Sequence, residues 1–129
     1  MTPKAIADWL AIAASKDHAG LDRLLAEDVV FRSPVVHTPQ KGRPITAKYL
    51  ESALRLLANS SFRYVEMWFS DRSAVLEFET ELEGLAINGV DIIHWNDDDK
   101  IISFKVMVRP LKAINILHES MAKALQTQN

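Results

Sequence analysis

The chain has 129 residues, 48% of them hydrophobic and 25% charged, which is ordinary for a single globular domain. Its formal net charge is −2 and it has no long basic run, so nucleic acid or an anionic membrane surface is not expected as the main partner. The chain contains no cysteine, which excludes a disulfide framework and a thiolate zinc site.

The N-terminal stretch is apolar but is interrupted by Asp8 and Lys16, which predicts an amphipathic helix rather than a signal peptide. No segment approaches the ~18 consecutive apolar residues that span a bilayer. We therefore expect one cytoplasmic domain that extends over residues 1–129.

Three helices are predicted in the first half of the chain. Apolar residues at helical spacing indicate a first helix from about Pro3 to Ser15. A second helix is predicted over His18–Ala26, with Asp17 as its N-cap. The third begins near Pro44, where the missing N–H of proline costs least, and ends before Asn59.

Strands are predicted between the second and third helices and throughout the second half of the chain. Val29–Val36 indicates a short strand that ends in a loop at Pro34, since proline cannot donate to a ladder, and His37–Pro44 is predicted as loop. From Phe62 onward the apolar period becomes two, which predicts four strands: Phe62–Phe69, Ser73–Gly84, Leu85–Asn96 and Lys100–Arg109. A short final helix is predicted over Leu111–Gln126.

This order of elements predicts an α+β domain, with helices packed on one face of a curved antiparallel sheet. One row of the last strand is expected to face the core: Ile102, Phe104, Val106 and Val108. The strand Ile87–Trp95 is largely apolar on both of its rows, so both of its faces need cover. We expect a second copy of the chain on the outer face, in a homodimer formed through the sheet.

Several separated segments of the chain form a recognisable pattern through their order and spacing. They are Asp17–Leu21, Leu25–Asp28, Phe31–Pro34, Gly42–Ile45, Gly89–Asp91, Ile101-Ile102 and Arg109-Pro110. Together they resemble the nuclear transport factor 2-like superfamily, which includes the SnoaL-type polyketide cyclases and the ketosteroid isomerases. The resemblance covers about Lys4 to Leu117 and implies a cone-shaped, cystatin-like domain that encloses a pocket. Because this fold hosts enzymes, ligand binders and dimerisation modules, it does not decide the function.

The resemblance to ketosteroid isomerases implies roles for three positions. Their general-base aspartate lies in an Asp-Pro-Val run, and here that run is Ser33-Pro34-Val35. Their helical oxyanion-hole tyrosine lies eight residues before an aspartate like Asp17, where this chain has Trp9. Their second oxyanion donor is an aspartic acid in the strand before the last, and Asp91 matches it. The resemblance thus implies an isomerase-like site that lacks its base.

Asp91 and Trp9 are the candidate hydrogen-bond donors of such a site. Asp91 lies in an apolar strand, where burial would raise its pKa, and the protonated acid could donate to a developing oxyanion. The alternative is a solvated or structurally bonded aspartate near a strand end. The indole N–H of Trp9 can only donate and could stand beside Asp91, although a tryptophan on a buried helix face is more often core.

Ser33 and His37 are the candidates near the position of the missing base. A serine cannot act as a general base unaided, and a hydroxyl that caps the turn before Pro34 explains Ser33 equally well. His37 has an imidazole suited to proton transfer, with a solvated loop histidine as the alternative. The predicted pocket walls are Tyr49, Trp68, Phe78, Phe104 and Val106, each of which could also be plain core. No histidine spacing indicates a metal site, and we expect no cofactor.

Three functions remain open from the sequence. The first is an enzyme, isomerase- or cyclase-like, that acts on a mostly apolar steroid- or polyketide-like carbonyl compound, with Asp91 as oxyanion donor and His37 or a bound water moving the proton. The second is a non-catalytic pocket for a small apolar ligand. The third is a dimeric interaction module. An open pocket of a few hundred Å³ with Asp91 in its wall would favour the first two, and a packed interior the third.

Overall fold

The computed structural model describes residues 1–15 and 17–127, which fold into one α+β unit. In chain order the elements are α1 (Lys4–Ser15), α2 (Ala19–Leu24), β1 (Leu25–Arg32), β2 (Gln40–Lys41), α3 (Arg43–Leu57), β3 (Arg63–Phe69), β4 (Ser73–Leu82), β5 (Leu85–Trp95), β6 (Ile101–Arg109) and α4 (Leu111–Thr127). The predicted fold class is confirmed. No helix within these two ranges is long and apolar enough to cross a membrane.

The six strands form one curved, open sheet in the order β2-β1-β6-β5-β4-β3. The pairs β3–β4, β4–β5 and β5–β6 are antiparallel, as the sequence predicts, and β1 pairs antiparallel with β2, which the sequence did not predict. The pair β1–β6 is parallel, with Phe31 opposite Phe104. Parallel pairing is possible here because a long connection, rather than a tight hairpin, separates the two strands in the chain.

Alternation along the central strands places one row of side chains in the core. On β4 the buried row consists of Ala74, Leu76, Phe78 and Thr80, and on β5 it includes Ile87, Asp91, Ile93 and Trp95. Of the intervening positions of β4, which lie on the other face, the second half carries Glu77, Glu79 and Glu81, and the first half carries Ser73 and Val75. Full burial of a large apolar side chain contributes about 1.5–3 kcal/mol, so these rows fix which face of the sheet the helices cover.

The predicted inward row of β6 is wrong at its first position. His94 pairs with Ser103, but Trp95 pairs with Ile101, so Ile102 is an extra residue in a β-bulge. The bulge turns Ile101 into the core, where it is fully buried, and leaves Ile102 36% exposed on the outer face. Period-two alternation cannot anticipate this because the bulge reverses the parity.

The second helix starts one residue later than predicted and is not capped as expected. His18 is its N-cap residue and makes no side-chain capping bond. The carboxylate of Asp17 instead lies 3.5 Å from Nη2 of Arg23, so the prediction of Asp17 as N-cap is wrong. The Asp17 carboxylate thus lies beside the exposed guanidinium of Arg23 and does not accept from the first backbone N–H groups of the helix.

The first strand begins earlier and ends earlier than predicted. It starts at Leu25, within the predicted second helix, and stops at Arg32 before the proline at position 34. The predicted loop His37–Pro44 contains the two-residue strand β2, which pairs with β1. Two residues carry too little pattern for a strand to be recognised from the sequence.

The final helix is confirmed and packs back over the domain rather than away from it. Ala113, Leu117 and Met121 recur every four residues and are buried. They form one narrow face of α4, which contacts α3 and the inner face of β4, β5 and β6. Leu117 and Met121 thereby reach the interior space described next.

Candidate functional site

A cavity of about 60 Å³ lies between the helices and the inner face of the sheet. Its walls are almost wholly apolar and include the rings of Phe31, Phe62, Phe78 and Phe104. Polar side chains reach it at a few points only: Trp9, Ser33, Tyr64 and Asp91. An apolar space with few polar groups is the usual form of a small-molecule site.

Asp91 is the buried carboxyl in this wall, with 6% of its surface exposed. It lies on β5, flanked across the sheet by Leu76 on β4 and Val106 on β6. Burial raises the pKa of Asp91 from 3.8 to about 7, while a hydrogen bond from Tyr64 acts in the opposite direction. The carboxyl is thus poised between its protonated and ionised forms near neutral pH.

A chain of hydrogen bonds runs from α1 through β3 to this carboxyl. Trp9 Nε1 donates to Tyr64 Oη at 2.9 Å, and Tyr64 Oη donates to Asp91 Oδ2 at 2.6 Å. The direction is fixed at its start, because an indole N–H can only donate. Trp9 lines the cavity as predicted, but its N–H is used by Tyr64. The expectation that the indole donates beside Asp91 is therefore wrong.

Tyr64 is the site residue that the sequence analysis missed. Burial, followed by the nearby Asp91 carboxylate, raises its pKa well above the ordinary value of 10, so the phenol remains a neutral donor. Its ring packs edge-on against Phe62, with centroids 5.0 Å apart. The sequence does place Tyr64 on the same row of the predicted strand as Phe62, which could have marked it as an inward residue. That row alone does not show which group its hydroxyl bonds to.

Gly89 allows β5 and β4 to bring these groups together. It lies opposite Phe78, and a Cβ placed on it would come within 2.6 Å of the Phe78 ring and of the Met107 carbonyl oxygen. Because glycine leaves that space empty, the Phe78 ring can lie over β5. On the other side, Phe78 pairs with Tyr64 on β3.

Ser33 lines the cavity from the loop that follows β1. Its Oγ accepts hydrogen bonds from the backbone N–H groups of Val35 at 3.0 Å and Val36 at 3.2 Å. This is the turn-capping role that the sequence left open. Since those bonds use its lone pairs, the hydroxyl retains a proton to donate and has no capacity as a base.

The predicted wall residues divide into three that line the cavity and two that do not. Those that line it are Phe78, Phe104 and Val106. Tyr49 is half-buried and packs against Phe31, with ring centroids 5.6 Å apart, outside the lining. Trp68 is 48% exposed, so its prediction as a wall is wrong. A register shift between Tyr64 and Glu66 reverses the parity of β3 and turns Trp68 outward.

His37 is exposed and is not among the residues that line the cavity. It lies in a separate surface groove with Arg32 and Lys105. The wall shared by the groove and the cavity consists of Ser33, Pro34 and Val106. Within residues 1–15 and 17–127, no cluster of three or more His, Asp or Glu side chains is arranged to hold a metal ion.

The arrangement can present hydrogen-bond donors to an acceptor atom inside an apolar enclosure. The donors are Asp91 in its protonated form and the Ser33 hydroxyl, and Tyr64 holds the carboxyl in place. The cavity is smaller than the few hundred Å³ set as the criterion for an open pocket, and Leu117 and Met121 of α4 lie in its wall. The interior is therefore neither an open pocket nor fully packed.

Comparison with known proteins shows similarity over most of the chain. A family model described as a SnoaL-like domain matches residues 6–104. No protein with a curated description matches the sequence. Among solved structures, a steroid delta-isomerase from Pseudomonas aeruginosa is 36% identical, with a TM-score of 0.91 and coverage of 96% of this chain and 90% of that one.

Two further solved structures extend the likeness. A protein with a cystatin-like fold from Silicibacter pomeroyi is 31% identical, with a TM-score of 0.86 over 93% of this chain and 84% of its own. An epoxide hydrolase/cyclase-like enzyme of pyran ring formation in the polyether salinomycin is 15% identical, with a TM-score of 0.67 over 82% and 88%. At that identity the third likeness concerns the fold alone.

Proposed function

The chain belongs to the SnoaL-like domain family of the nuclear transport factor 2-like superfamily, and on that premise we propose that its cavity binds a mostly apolar carbonyl compound. The ligand is of steroid or polyketide type, and its carbonyl oxygen accepts a hydrogen bond from Asp91. The observation that carries this proposal is the buried Asp91 carboxyl, held by Tyr64 at 2.6 Å in an apolar wall. The 36% identity with a steroid delta-isomerase supports the substrate class.

The chemistry available at this site is polarisation of the bound carbonyl. A hydrogen-bond donor aimed at the carbonyl oxygen stabilises the enolate that forms when the carbon next to the carbonyl group loses a proton. Such a donor contributes a few kcal/mol to stabilising the transition state. This would favour isomerase- or cyclase-like reactions. The cavity wall offers Asp91 as donor, and Ser33 as a second one.

A non-catalytic ligand-binding role is the second candidate, and one observation favours it. Ser33 occupies the position of the isomerase base, and its Oγ is taken up by two backbone N–H bonds. Without a general base, proton abstraction loses about 10²–10⁴-fold in rate. Turnover would then rely on a bound water, since His37 lies outside the cavity lining.

Binding of a steroid ketone is expected to weaken as the pH rises through about 7, the value to which burial raises the pKa of Asp91. A ketone can only accept a hydrogen bond, so it pairs with the protonated acid and not with the carboxylate. Loss of that bond corresponds to about 1–3 kcal/mol, or roughly a 5–150-fold weaker affinity. Titration of the fluorescence of Trp9, which lines the cavity, at pH 5.5 and pH 8.5 measures it.

Two variants of Asp91 serve as controls for the titration. Asp91→Asn keeps a donor at every pH and should bind the ketone with the same affinity at pH 5.5 and 8.5. Asp91→Ala removes the donor and should bind weakly at both. Equal affinity of all three proteins would show that the carbonyl does not meet Asp91, and the proposal would then be abandoned.

Enzyme and binder are separated by the fate of the ketone. A β,γ-unsaturated steroid ketone develops ultraviolet absorption when its double bond moves into conjugation. Absorption that grows with protein concentration, and that disappears in Asp91→Ala, supports the enzyme. Tight binding without any change in absorption supports the binder.

We also propose that the outer face of the sheet joins two copies of the chain. Trp68, Val75 and Ile92 lie side by side across β3, β4 and β5. In the neighbouring row, Val90 on β5 lies beside Met107 on β6. Trp68 and Met107 are about half exposed in the single chain. The apolar row Trp68-Val75-Ile92, with the pair Val90–Met107 in the neighbouring row, supports an interface in which each copy covers the other.

Substitution Ile92→Glu is expected to convert a dimer into a monomer, because it would bury a charged carboxylate in the apolar row of the interface. Sedimentation velocity at several protein concentrations measures the mass in solution. Ala11→Glu, on an exposed position of α1, is the matched control and should leave the mass unchanged. A monomeric unaltered protein would refute the proposed dimer.

A further inference from the structure

The cavity is too small, in the form observed, for the class of ligand proposed above. Its volume is about 60 Å³. An apolar cavity of about 150 Å³ holds a single benzene ring, so even one ring exceeds the space available. A fused ring system therefore requires that part of the wall moves.

Leu117 and Met121 of α4 are the wall residues best placed to move. Both are buried and both line the cavity. The rest of the wall belongs to the sheet, whose strands are held by ladders of backbone hydrogen bonds, to α1 and α3, and to loop residues at 33–35, 58 and 62. Displacement of two α4 side chains would enlarge the cavity without breaking any strand pairing.

The helix α4 is also the helix that the core holds least tightly for its length. Among its residues 111–126, whose side chains the structure describes, three are buried. By comparison α3 buries six residues in 15, and α1 buries four in 12. Segments with few buried contacts are those that open locally at the lowest free energy.

The connection of α4 to the sheet is a single residue, Pro110. The helix follows β6 directly through Pro110, whose carbonyl oxygen accepts from the N–H of Ala113 at 3.0 Å. Met121 lies 11 residues beyond Pro110, so a rise of 1.5 Å per residue gives a lever of about 16 Å. A rotation of about 20° at Pro110 would move Met121 by roughly 6 Å.

We propose that α4 is a gate, which opens as a unit about Pro110 while the sheet, α1 and α3 stay folded. In the closed form Leu117 and Met121 stand where the ligand would lie. In the open form an apolar ring system replaces them, with its carbonyl oxygen directed at Asp91. The statement about the ligand rests on the proposed function, whereas the opening of α4 does not depend on it.

Thiol labelling tests the opening directly, since the natural chain has no cysteine. Leu117→Cys places one thiol on the buried face of α4, and Leu76→Cys places the same substitution in the fully buried row of β4. In the absence of ligand, the Leu117→Cys thiol should react at least about 100-fold faster than the Leu76→Cys thiol, because local opening outpaces global unfolding. Its rate should also depend only weakly on urea.

Equal labelling rates with equal urea dependence would overturn the gate, because α4 would then open only when the whole domain unfolds. Should either cysteine variant fail to fold, Met121→Cys on α4 and Ile93→Cys on β5 make the same comparison at two other buried positions. Faster labelling of Met121→Cys supports the gate, and equal labelling rates refute it, because a helix that opens as a unit uncovers both of its cavity side chains.

A second arm adds a steroid ketone at pH 5.5 and separates the gate from the proposed function. The ketone should accelerate labelling of Leu117→Cys several-fold and protect Ala53→Cys, a cavity position on α3. If labelling of Leu117→Cys is fast but the ketone alters neither rate, the gate stands and the proposed ligand is wrong. If Leu117→Cys reacts as slowly as Leu76→Cys, the gate falls, whatever the fluorescence titration gives.

Discussion

Substitution Asp91→Asn is expected to favour the folded protein more at pH 8.5 than at pH 5. The free energy of unfolding of the variant, minus that of the unaltered protein, should be roughly 3 kcal/mol larger at pH 8.5 than at pH 5. The shape of the side chain is kept, and its carbonyl oxygen can still accept from Tyr64. The gain therefore reports the cost of ionising a buried carboxyl.

The sign of this effect follows from the pKa of Asp91, which burial raises from 3.8 to about 7 in the folded protein. Between these values the folded protein keeps a proton that the unfolded chain has released. The free energy of unfolding therefore falls by about 1.36 kcal/mol for each pH unit as the pH rises from 3.8 to 7. Above 7 both states are ionised and the loss stops. Asparagine does not titrate, so the variant escapes this loss.

Urea unfolding at pH 5, 7 and 8.5 gives the two stability profiles. Asp28→Asn is the matched control, because it makes the same substitution at an exposed aspartate on β1. If the Asp91→Asn profile parallels that of the unaltered protein, Asp91 is not the desolvated acid described above. The proposed hydrogen bond to a ligand carbonyl would then lose its basis.

Removal of the Tyr64 hydroxyl is expected to destabilise the protein by about 2–5 kcal/mol. In Tyr64→Phe, Trp9 Nε1 loses its acceptor and Asp91 Oδ2 loses its donor. Each polar group left unsatisfied in the interior costs about 1–3 kcal/mol. The aromatic ring itself stays, so its packing against Phe62 is preserved.

Chemical unfolding of Tyr64→Phe at pH 5 measures this loss beside the control Tyr49→Phe. Within residues 1–15 and 17–127 the Tyr49 hydroxyl makes no side-chain hydrogen bond, so its removal should cost little. Because the Tyr64 bond lowers the pKa of Asp91, the variant should also continue to lose stability above pH 7. Equal small losses in the two variants would contradict the hydrogen-bonded chain.

Much of the candidate site was predictable from local pattern. The apolar row of β5 indicated an interior position for Asp91, whose side chain is buried, whereas the serine at the base position was implied only by the resemblance of Ser33-Pro34-Val35 to the isomerase run. The inference about Asp91 depends only on neighbouring residues and on alternation along a strand, which local sequence records directly. The same holds for α1, α3 and α4, whose apolar spacing is unambiguous.

Other parts of the site depended on register and could not be read along the chain. Tyr64 reaches Asp91 across the intervening strand β4, and a register shift beside Tyr64 decides that Trp68 faces outward. A second shift decides that Ile101, and not Ile102, is buried. Periodicity defines two rows on a strand, but a single bulge exchanges the rows beyond it.

The sequence by itself determined the α+β class, the helices α1, α3 and α4, the four strands of the second half of the chain, and the position of Asp91 on a largely apolar strand. Only the tertiary structure decided that Asp91 is buried, that the N–H of Trp9 bonds to Tyr64, and that Leu117 and Met121 of α4 line the cavity. The physical reason is range. Propensity and periodicity act between residues a few positions apart, whereas these contacts join segments that only the packing of helices on the sheet brings together.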